Sequence, residues 1–148
     1  MKVFHWRISW IDLLITILFV LATSTACDSP AKSYYYTVNV INQGGEQIVV
    51  DPFRLYDGAG GTMEVGMLDP GIEAGMGAFN QRPNVSHTIR WKGTRSGKQS
   101  EATIKLELPT EFTKKNGSDI YFYIDSEKQS VRVAYRVFDA KGNLKFFE

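Results

Sequence analysis

The chain has 148 residues and a formal net charge of +1, with 17 lysines and arginines against 16 aspartates and glutamates. That balance supplies no basic field for a polyanion, so nucleic-acid binding is not expected, and the length suits one domain with one modest core. A single cysteine and two histidines give no spacing for a zinc centre and no disulfide framework.

At the start of the chain, Lys2 and Arg7 stand among Phe4, Trp6 and Trp10. An apolar run from Leu13 to Ala22 follows, broken only by Thr16, and the small residues Thr23-Ser24-Thr25-Ala26 lead to Cys27. This order of charge, short apolar core and small residues is that of a bacterial secretory signal. The run falls short of the roughly 20 apolar residues that span a bilayer. A cysteine directly after such a site resembles the lipobox of bacterial lipoproteins. The resemblance implies that the Cys27 thiol receives a diacylglycerol, that cleavage precedes it, and that the new amino group is acylated. Ser24 stands where that family prefers leucine, and Ser24-Thr25-Ala26 also suits ordinary signal peptidase, so a secreted protein with a free thiol is the alternative. A lone thiol fits an oxidising compartment poorly, whereas two or three acyl chains, at about 0.8 kcal/mol per buried CH₂, hold a protein firmly. The expected organisation is a signal at 1–26, a polar tether at 27–33 containing Pro30, and a single β domain at 34–148. Asp28 after Cys27 resembles an inner-membrane retention signal, and either membrane of a Gram-negative envelope remains open, with the domain facing the periplasm. Without Met1 to Ala26 the chain is formally neutral, since only Lys2, Arg7 and Asp12 are lost.

The rest of the chain is dominated by period two, the mark of strands with one buried face. "YYYTVNVI" sets Tyr34, Tyr36, Val38 and Val40 on one face, and Gln43-Gly44-Gly45 ends it. Short strands are expected at Ile48 to Val50, Phe53 to Tyr56 and Met63 to Leu68, with Pro52 barring a regular central strand. From Tyr56 to Asn84 the regularity fails: seven glycines accompany Asp57, Glu64, Asp69, Glu73 and the methionines Met63, Met67 and Met76. No phosphate-loop lysine follows these glycines, and no calcium-loop alternation of oxygen ligands is present. The segment is either an irregular connection or a recognition surface, where glycines admit close approach and methionines adapt to a partner. As a surface it makes Asp57, Gly58, Gly60, Gly61, Glu64, Asp69 and Glu73 the expected partner-binding residues.

His87 follows in "SHTIRWKG", sharing a strand face with Ile89 and Trp91. It is the sole histidine after the signal, and no cysteine or serine is paired with it by any motif, so a structural histidine is expected. "TIKLEL" alternates Ile104, Leu106 and Leu108 against Lys105 and Glu107. About one helical turn is expected at Thr110 to Lys115. "IYFYI", Ile120 to Ile124, is apolar or aromatic on both faces and reads as a central strand. A hairpin at Glu127-Lys128-Gln129 leads to "VRVAYRVF", and Lys141-Gly142-Asn143 turns into a final "LKFFE". The expectation is an all-β domain, an antiparallel sandwich or open barrel of about seven to nine short strands, with no catalytic residues, metal or cofactor.

Together "YTVNVINQGGEQI", "DGAGG", the Pro-Gly segment before "TIRW" and the pair "DIYFYIDSEKQSVRV" resemble a family of short Gram-negative lipoproteins. Members of that family look like immunity proteins encoded beside lipase-type effectors of the type VI secretion system. Many carry a cysteine pair where this chain has Thr62-Met63-Glu64. The resemblance implies a non-enzymatic, membrane-anchored protein that occludes a secreted lipase effector. A structural or accessory envelope lipoprotein binding another protein is the alternative, and a small periplasmic enzyme using His87 or the carboxylates is a distant third.

Overall fold

The structure is a computed structural model and describes residues 34–112, 117–139 and 141–148. Cys27, the signal and the tether lie outside the described residues, as do residues 113–115 of the turn expected at Thr110 to Lys115. At its start, the Phe112 N–H donates to the Pro109 carbonyl at 3.0 Å in a simple turn.

Eleven strands carry the described fold, with no helix among these residues. In chain order they are β1 (Tyr36–Asn42), β2 (Ile48–Val50), β3 (Phe53–Arg54), β4 (Thr62–Met63), β5 (Gly66–Leu68) and β6 (Glu73–Phe79), then β7 (Ser86–Gly93), β8 (Gln99–Lys105), β9 (Ser118–Asp125), β10 (Ser130–Phe138) and β11 (Leu144–Phe147). A five-stranded sheet runs β11-β10-β9-β1-β6, a four-stranded sheet runs β5-β2-β7-β8, and β3 and β4 form a small ribbon. The arrangement is an all-β, sandwich-like fold without a closed barrel.

Alternation builds the core from both sheets. Tyr36, Val38 and Val40 of β1 face inward with Ile120, Phe122 and Ile124 of β9, because the register sets Val38 beside Ile120 and Val40 beside Phe122. Ile48 and Val50 of β2 and Ile89 and Trp91 of β7 close the same core from the second sheet. Phe122 ties the layers together: the Phe53 ring meets it edge-on at 5.6 Å and the His87 ring at 6.1 Å. Full burial of each such side chain is worth about 1.5–3 kcal/mol, so this seam dominates the stability. The apolar-on-both-faces segment takes the middle position its composition called for, since β9 has two strands on either side.

Three expectations change. The sheets are not purely antiparallel, because β1 and β9 pair in parallel, from Tyr36 beside Ser118 to Asn42 beside Ile124. Parallel neighbours need a long crossover, and the whole second sheet serves as one. There are eleven strands rather than seven to nine, because the glycine-rich segment is itself paired: β6 lies antiparallel on β1 from Ile41 beside Glu73 to Tyr36 beside Phe79. Finally, the "TIKLEL" strand ends earlier, with β8 spanning Gln99–Lys105, although Leu106 still enters the core.

Candidate partner-binding surface

The seven residues expected to bind a partner do not form one patch. Asp57, Gly58, Gly60 and Gly61 lie in the loop joining β3 to β4, closed where the Leu55 N–H donates to the Gly61 carbonyl at 2.7 Å. Gly61 is required there because a Cβ would run into the Tyr56 carbonyl. This loop sits by the start of β7, where His87 contacts the Arg54 carbonyl. Glu64 follows β4, and Asp69 follows β5, where the Gln47 amide donates to it at 2.6 Å. Leu68, next to Asp69, shares with Gly93 the pairing partner Ile48, at the far end of β7. Six residues of strand, about 20 Å, therefore separate the Asp57 loop from the Asp69 turn. Glu73 belongs elsewhere again, beside Ile41 on the outward side of the five-stranded sheet. Of the methionines, Met63 is core, while Met67 is 62% exposed.

His87 is held as a structural residue. It is buried, with Nδ1 2.8 Å from the Arg54 carbonyl oxygen and Nε2 2.7 Å from that of Asn84. Its ring thus joins the β3 ribbon to the loop before β7. Among the described residues no group of three histidine, cysteine, aspartate or glutamate side chains could hold a metal ion.

The surface that departs from an ordinary solvated face is the outer side of the five-stranded sheet. Registers place Thr37, Asp119, Arg136 and Phe146 in one row, Asn39, Tyr121 and Ala134 in the next, and Ile41, Tyr123 and Arg132 in a third. The Tyr121 and Tyr123 rings are nearly parallel, 6.1 Å apart at an interplanar angle of 21°. The Arg132 guanidinium lies 4.3 Å from the Tyr123 ring centre and that of Arg136 lies 5.7 Å from Tyr121. Such cation–π contacts stiffen long side chains that would otherwise wander. Asp119 accepts from Arg136 Nε at 2.5 Å and also from the Thr37 hydroxyl, and Arg132 pairs with Glu148. The bond to Asp119 holds the Arg136 guanidinium above its usual pKa, and burial followed by the Asp119 charge pushes the Tyr121 phenol up. Phe146, 68% exposed, and Leu144 extend the face along β11.

The outer side of the four-stranded sheet is the contrast. Thr88, Arg90, Lys92, Gln99, Glu101, Thr103 and Lys105 are all exposed there. A pocket of about 440 Å³ on that side is lined by Val49, Asp51, Arg90 and Glu101 among others, and Arg90 and Glu101 neutralise each other at 3.0 Å. It holds no histidine or thiol. Tyrosine and arginine are the side chains that anchor protein interfaces; the first sheet carries two of each on its outer side, whereas the second has no tyrosine and only Arg90, paired with Glu101. Sequence reasoning did not assign the face a role, though "IYFYI" carried its signal: an outward Tyr121 and Tyr123 need something apolar to meet.

No protein-family model matches the chain, and neither a curated protein nor a solved structure matches it.

Proposed function

We propose that this protein is a lipid-anchored, periplasm-facing binding protein that works without chemistry of its own, as an immunity protein occluding a lipase effector of the type VI secretion system. The signal and Cys27 supply the location, and the family resemblance supplies the partner class. The observation that carries binding is the outer face of the five-stranded sheet, where Tyr121, Tyr123, Arg132 and Arg136 form a rigid surface beside exposed Phe146. Four side chains with little rotamer freedom left to lose make a low-entropy docking surface.

A lipase secreted from a neighbouring gene, directed to the periplasm of a test strain, provides the experiment. Co-expression of the full chain should restore growth. Cys27→Ser should leave the protein out of the membrane fraction, or with its signal uncleaved, and should weaken protection. Absence of a neighbouring secreted lipase together with no protection against any type VI lipase would refute the immunity reading. Membrane fractionation unaffected by Cys27→Ser, with the signal cleaved as in the parent, would refute the anchor.

A further inference from the structure

The open edge of the five-stranded sheet at β6 is built to accept a backbone. β6 ends the sheet order, and among the described residues its backbone bonds run only to β1. The Asn42 N–H donates to the Ile72 carbonyl at 3.2 Å, which makes that pair a hydrogen-bonded one. Bonded and non-bonded pairs alternate along an antiparallel ladder. Glu73, opposite Ile41, and Gly75, opposite Asn39, are therefore in non-bonded pairs. Their N–H and C=O groups point away from β1, along the open edge.

Natural edges are blunted by charge, proline or brevity. The other three sheet edges follow that rule: β5 has three residues, β11 has four including Lys145, and β8 carries Glu101 and Lys105. β6 has seven residues, "EAGMGAF", and its one charge is Glu73 at its start. A register shift opposite Tyr36 and Val38 breaks its regularity near Phe79, so the usable length is Glu73 to Met76 and little more.

A second observation points to an occupant. Asn39 is 8% exposed, yet its carboxamide has no hydrogen-bond partner among the described residues. It lies over Gly75, where a Cβ would come within 2.6 Å of its Oδ1. Water still reaches its amide atoms, which are not among the fully buried unpaired groups, and a bound side chain can take that water's place. A strand added to β6 would place a residue opposite Gly75, about 10 Å from the Asn39 backbone across both pairings. With no side chain on Gly75 between them, that residue's side chain can reach the carboxamide.

We propose that the β6 edge binds an extended polypeptide segment of a partner protein as a sixth strand, with Asn39 selecting an amide or hydroxyl side chain opposite Gly75. Only a polypeptide backbone offers donors and acceptors alternating at strand spacing, so the chemistry selects an extended peptide over a sugar or a lipid headgroup. The inference rests on reading the protein as one that binds a protein partner.

A phage-displayed library of random twelve-residue peptides, panned on the full chain in detergent micelles, tests it without any effector. Selected peptides should shift the amide resonances of Glu73 and Gly75 most, and carry Asn, Gln, Ser or Thr at one common position. Glu73→Pro removes an edge N–H where proline is tolerated, and Asn39→Ala removes the carboxamide; each should weaken binding about tenfold. The same peptides N-methylated at alternate amides should fail to bind the unaltered protein, a comparison independent of how any variant folds. Recovery of no binding peptide, equal binding of the N-methylated peptides, or resonance shifts confined to another surface would overturn the proposal. Peptide binding at β6 without protection from a lipase would instead refute the immunity reading and leave the edge site standing.

Discussion

Tyr36 shows how far a single residue can depart from what its pattern promises. Alternation in "YYYTVNVI" correctly points its ring inward, and it packs at 5.5 Å from Phe79 and 5.4 Å from Phe112. The pattern says nothing about its hydroxyl, which is buried and finds no partner among the described residues. Burial, with Tyr56 adding to it, pushes the phenol's pKa far up, so it stays neutral. Tyr36→Phe keeps the ring and removes the unsatisfied group, so urea unfolding should show stability unchanged or higher by about 1 kcal/mol. A loss of that size would reveal a hydrogen bond the structure does not show. His87 is the opposite case, legible from its shared face with Ile89 and Trp91. His87→Ala empties a packed site and abandons the Arg54 and Asn84 carbonyls, which should cost about 2–3 kcal/mol. Thermal unfolding checks it, and a variant that keeps its melting temperature but loses protection would return His87 to the candidate functional residues.

Elements were legible where side chains alternate and illegible where they are small. β9 was placed at the sheet's centre by its two apolar faces, and β10 by its strict alternation. β6 reads as irregular because Ala74, Gly75 and Gly77 carry no pattern; only pairing with β1 makes it a strand. The expected binding residues lie apart for a related reason. Charge and glycine counts along a segment do not say which residues meet, and folding sends the Asp57 loop and the Asp69 turn to opposite ends of β7. Loop clamps are equally hidden from periodicity. Glu46, after β1, holds the turn between β7 and β8 by accepting from Ser96 Oγ at 2.7 Å, the Ser96 N–H at 2.9 Å and the Arg95 N–H at 3.0 Å. The Ser96 hydroxyl first, then these N–H groups, hold its carboxyl below the usual carboxylate pKa. A depressed folded pKa contributes stability above the unfolded value and loses it as pH falls through the folded one. Glu46→Gln should therefore be less stable than the parent near pH 7, with the difference closing as pH falls below the ordinary carboxylate range. Urea midpoints measured across that range test the sign; a gap that widens on acidification would contradict it.

At the scale of the molecule, two sheets share one core and present two unlike exteriors. The four-stranded sheet shows water the threonines, charges and glutamine of an ordinary solvated face. The five-stranded sheet shows two parallel tyrosines braced by two arginines, with Phe146 and Leu144 beside them and an unguarded edge at β6. One core holds both faces rigidly, so a partner can meet a preformed surface instead of ordering it on arrival. Growth of lipase-exposed cells carrying altered faces tests this claim most directly. Tyr121→Ser, Tyr123→Ser and Phe146→Ser together should leave a folded, membrane-bound protein that no longer protects. Thr88→Glu with Thr103→Glu on the other sheet should protect as well as the parent. Full protection by the triple variant, or equal loss from both sets of changes, would contradict the assignment of the five-stranded sheet as the binding face.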